Sequence, residues 1–331
     1  MDYANSRFFR LKENMDMDKI SVIVPCYNEE EVLPMFHQEV TKELRKIENI
    51  DYEIIFIDDG SNDRTIQLLK MISAKDKRCD YYSFSRNFGK EAAMLAGLEK
   101  STGNYCVIMD ADLQHPPKLL APMYQAVSKE GYDCCAGKRI DREGEGKIRN
   151  FLSRTFYKIM QKISKLDMSD GAGDFRMMSR LMVNSIIEMR EYNRYMKGLF
   201  SYVGFETKWL PFHNVERAAG KTKWNFKSLF SYALEGMFSF STAPLKIAGI
   251  FGIILFVASI ILALYTAIST LLFGNSVGGY TTIVCLILFL SGTQMLLIAI
   301  LGEYVSKDYM ENKARPIYIV KDSNRKEALS K

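Results

Sequence analysis

The chain has 331 residues, 48% of them hydrophobic, and a formal net charge of +5. That length suits one sizeable core with a smaller appendage. Six cysteines, mostly in apolar runs and without a Cys-x-x-Cys pair, fit a reducing compartment and argue against structural zinc.

Residues 1–19 are polar and mixed in charge, a leader with no signal-peptide pattern. Apolar strands then alternate with helical patterns, which predicts a mostly parallel α/β sheet. The strands are expected at Ile20–Pro25, Tyr52–Ile57, Tyr81–Ser85, Tyr105–Met109 and Asp133–Ala136, with helices near 29–47, 63–74, 90–100 and 117–129. Ser61-Asn62-Asp63 marks the start of the second helix. A basic amphipathic helix is expected near 147–165, within a stretch from Lys138 to Lys165 that holds nine Lys/Arg against three acidic residues. Further helices are expected over 179–190 and 226–240, the second leading toward the membrane. Between Lys246 and Glu303 lie 56 residues without one Asp, Glu, Lys or Arg. A helix rises about 1.5 Å per residue and the hydrocarbon layer is about 30 Å thick, so this stretch reads as two spans. They are placed near 247–272 and 281–302, joined by a loop of turn-forming residues 273–280. Lys221, Lys223, Lys227 and Lys246 before the hairpin, and Lys307, Lys313 and Arg315 after it, place both ends in the cytoplasm by the positive-inside rule. Basic clusters beside spans point to anionic lipid rather than nucleic acid. The expected organisation is a leader (1–19), a catalytic domain (20–222), interfacial helices (223–245), two spans (246–303) and a cytoplasmic tail (304–331).

Parallel α/β sheets bind ligands beyond the carboxyl ends of their strands. Three such ends carry polar clusters: Pro25-Cys26-Tyr27-Asn28-Glu29-Glu30, Asp58-Asp59-Gly60-Ser61 and Asp110-Ala111-Asp112. Alternation along an extended chain puts Asp110 and Asp112 on one face, where two carboxylates repel unless a cation lies between them. Hard divalent ions that also grip phosphate suit such a pair. The competing reading is that Asp112 caps the next helix, where Pro116 and Pro117 mark a start. Asp58 and Asp59 have a turn-forming alternative of their own.

With these motifs the chain resembles the family-two glycosyltransferases of GT-A fold, most closely those that act on polyisoprenyl phosphates: dolichol-phosphate mannosyltransferase and its bacterial undecaprenyl-phosphate relatives. The resemblance runs from about residue 20 to 320. It is also carried by Ser85-Arg86-Asn87-Phe88-Gly89-Lys90, by Leu113-Gln114-His115-Pro116-Pro117 after the acidic pair, by Gly173-Asp174-Phe175-Arg176 and by Gly220-Lys221-Thr222-Lys223-Trp224. It implies a GT-A, Rossmann-like cytoplasmic domain on a two-helix hairpin, transferring one sugar with inversion from a UDP- or GDP-linked donor to polyisoprenyl phosphate, with glucose from UDP-glucose as first choice. It also implies roles for matching residues. Pro25, Tyr27, Glu29 and Asp59, with Asn28, Asp58, Gly89, Lys90 and Ala111, belong to the nucleotide-sugar site. Asp110 and Asp112, with Gln114, hold Mg²⁺ or Mn²⁺. Arg139, Arg149 and Ser153 grip the acceptor phosphate. Lys221, Lys223 and Trp224 order an interfacial loop. Asp174 touches sugar or acceptor, or else caps a helix. Association between copies through the hairpin is a further expectation. A processive polysaccharide synthase is the alternative enzyme, but the Gln-x-x-Arg-Trp motif is missing from the sequence. A non-catalytic membrane adaptor or glycolipid-translocation subunit leaves the acidic pair without a purpose.

Overall fold

The computed structural model describes residues 17–140, 172–213, 243–273 and 279–325. Five strands match the expected apolar runs: β1 Asp18–Cys26, β2 Ile50–Asp58, β3 Cys79–Phe84, β4 Tyr105–Ile108 and β5 Cys134–Arg139. Three more complete the sheet: β6 Ala172–Ser179, β7 Thr207–Phe212 and β8 Val320–Ser323. The strand order is β7-β5-β6-β4-β1-β2-β3-β8. Strands β4, β1, β2 and β3 run parallel, so the carboxyl ends of β4, β1 and β2 meet at one edge. Strand β6 is antiparallel to both β4 and β5 and joins the two halves.

The central strands are apolar throughout because both faces are covered. Ile20, Val22 and Val24 of β1 face a core shared with Ile54, Phe56 and Val107. Helices α1 (Leu33–Leu44) and α2 (Thr65–Lys75) add Phe36, Val40 and Leu69 to it. Ile23, one residue out of phase, lies on the other face with Met94 and Leu98 of α3 (Lys90–Lys100). Each such aliphatic side chain contributes about 1.5–3 kcal/mol by leaving water. Helix α3 sits close against β1: a Cβ on Gly97 would lie 2.1 Å from Cγ2 of Ile23. Helix α4 (Leu120–Ser128) packs on the first face; α5 (Arg180–Glu188) and α6 (Met196–Tyr202) supply Met182, Ile186 and Leu199 to the second.

At the amino ends of the strands, buried Glu53 is fully partnered. It accepts from Lys19 Nζ at 2.6 Å, Ser21 Oγ at 2.6 Å and the Thr102 amide at 2.7 Å. A buried carboxylate is tolerated only with this degree of pairing.

Two long helices, α7 (Ala243–Phe273) and α8 (Tyr280–Asn312), touch each other. Large apolar side chains stand exposed along both, including Ile253, Ile261, Leu264, Leu296 and Leu301. Within α8, Phe289–Asn312 is long and apolar enough to cross a bilayer. After α8 the chain does not trail off as a tail through its described residues: it returns to pair β8 with β3. The Tyr318 ring stacks on Phe84 at 5.0 Å, and Lys70 and Arg325 pair with Asp322 and Asp80 at 2.6 and 2.7 Å. The expected helices near 147–165 and 226–240 lie outside the described residues.

Candidate active site

The loops after β1 and β2 are laced together. Asn28 adopts a left-handed φ of 55°, which its short polar side chain tolerates. Its Oδ1 accepts from the Asn62 amide at 2.9 Å, while its own amide donates to Ser61 Oγ at 2.9 Å. The Glu29 and Glu30 amides donate to Thr65 Oγ1 and Asp63 Oδ2. Pro25, Tyr27, Asn28 and Glu29 are all part-exposed on this rim.

Asp58 and Asp59 are adjacent but do different work. Asp58 is 1% exposed, and both its oxygens are taken, by the Ser61 amide at 3.1 Å and Ser83 Oγ at 2.6 Å. It braces the turn from within. Asp59 reaches across to the loop after β3, accepting from the Phe88 amide at 2.6 Å and the Gly89 amide at 3.0 Å. Burial raises the Asp59 carboxyl to about 6, against the pull of those two amides. The close approach needs Gly60, which has φ +70°, and whose Cβ would meet the backbone carbon of Arg86 at 2.5 Å. Gly89, at φ 98°, then turns the chain into α3 and delivers Lys90 as its first residue.

Lys90 stands at the centre of the acidic cluster. Its Nζ lies 2.7 and 2.9 Å from the two oxygens of Asp110, and 2.7 Å from Oδ2 of Asp174. Asp174 arrives on β6. Continuing the antiparallel register from Ile108↔Arg176 sets residue 174 opposite residue 110. It is inside a strand and caps no helix; Ser179 caps α5 by accepting from the Met182 amide. Burial alone would raise the Asp174 carboxyl, but Lys90, with Lys197 and Arg176, holds it well below the usual range. Asp110 is also held low, by the Lys90 ammonium, against its burial.

The acidic pair itself differs from the strand geometry expected of it. Strand β4 ends at Ile108, and 111–112 form a turn followed by Leu113 at φ 59°. Alternation along a strand therefore does not govern Asp110 and Asp112. Asp112 Oδ1 accepts from the Gln114 amide at 3.1 Å, a local turn rather than a helix cap, and α4 begins only at Leu120 after a short 3₁₀ turn. His115 fixes this turn. It is buried, stacks on Phe175 at 4.8 Å and 8°, and its Nδ1 accepts from the Asp110 amide at 3.1 Å. Burial lowers its pKa and favours the neutral ring, and the accepted bond leaves the proton on Nε2, 3.9 Å from Asp110.

The donor set suits a hard divalent ion. Carboxylates of Asp110 and Asp112 with the side-chain oxygen of Gln114 are oxygen ligands, and an ammonium already bridges Asp110 and Asp174 as a stand-in cation. Among the described residues, three His, Cys or carboxylate ligand atoms come within 4.8 Å of one another at His37 of α1 with Asp76 and Cys79 at the α2–β3 junction. Burial pushes the Cys79 thiol up to about 12, which opposes the thiolate a metal takes.

Of the remaining expected residues, Ala111 is buried beside the pair and Arg139 ends β5, half-buried. Arg149, Ser153, Lys221, Lys223 and Trp224 lie outside the described residues. Sequence reading missed Ser83, and gave His115 no role beyond its place in the 113–117 motif. The apolar Phe175, next to Asp174, is the one local hint that a flat ring packs there.

Residues 21–187 match the model of glycosyl transferase family 2. The chain is 44% identical over 310 residues to a putative glycosyltransferase, CsbB, of Bacillus subtilis (strain 168), covering 94% of this chain and 93% of that one. It is 40% identical over 310 residues to the bactoprenol glucosyl transferase of Shigella phage SfV, covering 93% of this chain and 100% of that one. Among solved structures, it is similar to glucosyl-3-phosphoglycerate synthase from Mycobacterium tuberculosis, in complex with Mn²⁺, UDP-glucose and phosphoglyceric acid. That similarity has 19% identity and a TM-score of 0.42, over 66% of this chain and 76% of that one.

Proposed function

The chain belongs to glycosyl transferase family 2 and is a glycosyltransferase, and from that premise we propose that it transfers one glucose from UDP-glucose to undecaprenyl phosphate at the membrane surface. The observation that carries the reading is the pairing, on one chain, of the Asp110–Lys90–Asp174 cluster at the strand ends with a membrane-length apolar helix. Relatives named bactoprenol glucosyl transferase support the choice of sugar and lipid, because they match along more than nine-tenths of both chains.

In this reading α7 and α8 form a two-span hairpin, and the lysines flanking it keep the catalytic domain in the cytoplasm. Pro25, Tyr27, Asn28 and Glu29 line the base and ribose, while Asp58 and Asp59 hold the loops that shape the pocket. Asp110, Asp112 and Gln114 hold Mg²⁺ or Mn²⁺, which when bound neutralises charge on the diphosphate. Arg139, Arg149 and Ser153 grip the acceptor phosphate, as guanidinium forks do bidentately. Lys221, Lys223 and Trp224 order the loop at head-group depth.

The lipid phosphate is already anionic, so no strong base has to activate it. Its oxygen attacks the anomeric carbon as the bond to the diphosphate breaks, and UDP leaves with the electron pair. Attack from the far side inverts the centre, giving a β-linked glucosyl lipid phosphate from the α-linked donor. The protein's part is alignment and charge stabilisation. Asp174, fixed through Lys90, closes the sugar side of the crevice. Replacing Asp112 with Asn tests the reading: transfer should fall at least a hundredfold and stay there when Mn²⁺ is raised, with membrane insertion unchanged. Wild-type turnover in that variant would remove the metal role.

A further inference from the structure

We infer that Lys90 is a built-in counter-ion, holding the cation position between Asp110 and Asp174 until donor and metal enter, so that metal binding is coupled to nucleotide binding. The inference rests on the metal reading of Asp110 and Asp112, and goes beyond it by assigning what occupies the crevice beforehand and what must leave.

Three observations converge. Both oxygens of Asp110 face the Lys90 ammonium, at 2.7 and 2.9 Å, and the same nitrogen reaches Asp174 at 2.7 Å. A divalent ion using Asp110 therefore meets a competitor already seated on that carboxylate. The Lys90 side chain is 40% exposed, so its ammonium can withdraw toward solvent. Its backbone cannot travel with it: Gly89 is held by Asp59 at 3.0 Å, and α3 is packed tightly against β1 through Gly97. What moves is the four-carbon stem, a flexible carrier of a compact charge.

Charge decides where the ammonium goes. Lys90 beside a divalent ion would place like charges a few ångströms apart, while the incoming diphosphate brings new anionic oxygens to the same mouth. Lys90 exchanges two carboxylates for phosphate oxygens, which frees the Asp110 carboxylate to serve as a metal ligand. Without nucleotide that exchange has no destination, and metal alone binds weakly. This is a coupling free energy between two ligands, and such couplings commonly amount to about 5–150-fold in affinity.

The test is Mn²⁺ titration of the full chain in nanodiscs by calorimetry, with and without UDP, on wild type and on Lys90→Met, Lys90→Arg and Asp112→Asn. In wild type, UDP should tighten Mn²⁺ binding by about tenfold or more. Lys90→Met should bind Mn²⁺ alone about tenfold more tightly than wild type and lose most of the UDP enhancement. Lys90→Arg keeps a cation in place and should retain the wild-type pattern. Lys90→Gln provides a second neutral variant should Lys90→Met fold poorly, with the same expectation. Unchanged Mn²⁺ affinity and unchanged UDP enhancement in the neutral variants would overturn the counter-ion role. Failure of the underlying metal reading looks different: Asp112→Asn would then bind Mn²⁺ with UDP as tightly as wild type.

Discussion

Acidification should loosen the donor site through Asp59 before it harms the fold. The carboxyl accepts the Phe88 and Gly89 amides and so anchors the segment that delivers Lys90. Burial raises it to about 6. With that value, about nine-tenths of the molecules carry the charged form at pH 7 and about one-tenth at pH 5, a drop of about tenfold. The sign for folding is opposite. A carboxyl raised above its ordinary value favours the folded state at low pH, and that contribution fades as pH rises through about 6. Loss of binding below pH 6 is therefore not loss of structure. The assay is direct binding of UDP-glucose in the presence of Mn²⁺, by calorimetry and without lipid. Leaving lipid out matters because the second ionisation of a phosphate monoester also lies near pH 6. Wild type should lose about tenfold in affinity between pH 7 and pH 5. Asp59→Asn should bind weakly at both values, with a flat profile. An acid limb of unchanged midpoint in Asp59→Asn would show that another group titrates.

Two substitutions probe the scaffold of the site. Gly60→Ala forces a side chain into a left-handed conformation, at about 1–2 kcal/mol, and sets its Cβ 2.5 Å from the backbone of Arg86. The loop relieves that strain by leaving its donor-binding position, so UDP-glucose affinity should fall about five- to thirtyfold, since about 1.4 kcal/mol is a factor of ten. Gly131→Ala, at φ +87° but with nothing within 4 Å, should leave donor binding unchanged; equal losses in the two variants would show that the close approach is irrelevant. Glu53→Ala strands the donors of Lys19, Ser21 and Thr102. Breaking a buried ion pair costs about 3–5 kcal/mol, and at about 2–4 °C per kcal/mol the melting temperature should fall by roughly 10 °C. Burial opposes ionisation of Glu53, but Lys19, Ser21 and Thr102 hold its carboxyl below the ordinary value. Its stabilisation is thus complete above the usual glutamate range and lost as pH falls below it. A melting temperature within 2 °C of wild type, read by differential scanning fluorimetry, would contradict this.

The central strands were legible because sheets covered on both faces demand long apolar runs, and Ile20–Val24 and Tyr52–Ile57 supply them. Strand β6 was not. It carries Gly173, Asp174 and Arg176, polar or flexible residues placed for the site rather than for strand propensity. Strand β8 is four residues long and exists only through pairing with β3 from the far end of the chain. No local pattern encodes that. The convergence of three strand ends followed directly from parallel topology, but the roles within it did not. Asp58 and Asp59 look equivalent in sequence, and only packing turns one inward to Ser83 and the other toward Gly89. The Lys90 bridge needs α3, β4 and β6 together, so it lies beyond reading any one motif.

The proposed activity is transfer of one glucose to a lipid phosphate. Membranes containing the chain, given radiolabelled UDP-glucose, Mn²⁺ and undecaprenyl phosphate, should yield label in the organic extract as a single glucosyl phospholipid. That label should vanish with EDTA and return with Mn²⁺. Label in a water-soluble polymer, or an unlabelled lipid fraction when wild type is supplied with donor, metal and acceptor, would contradict the account.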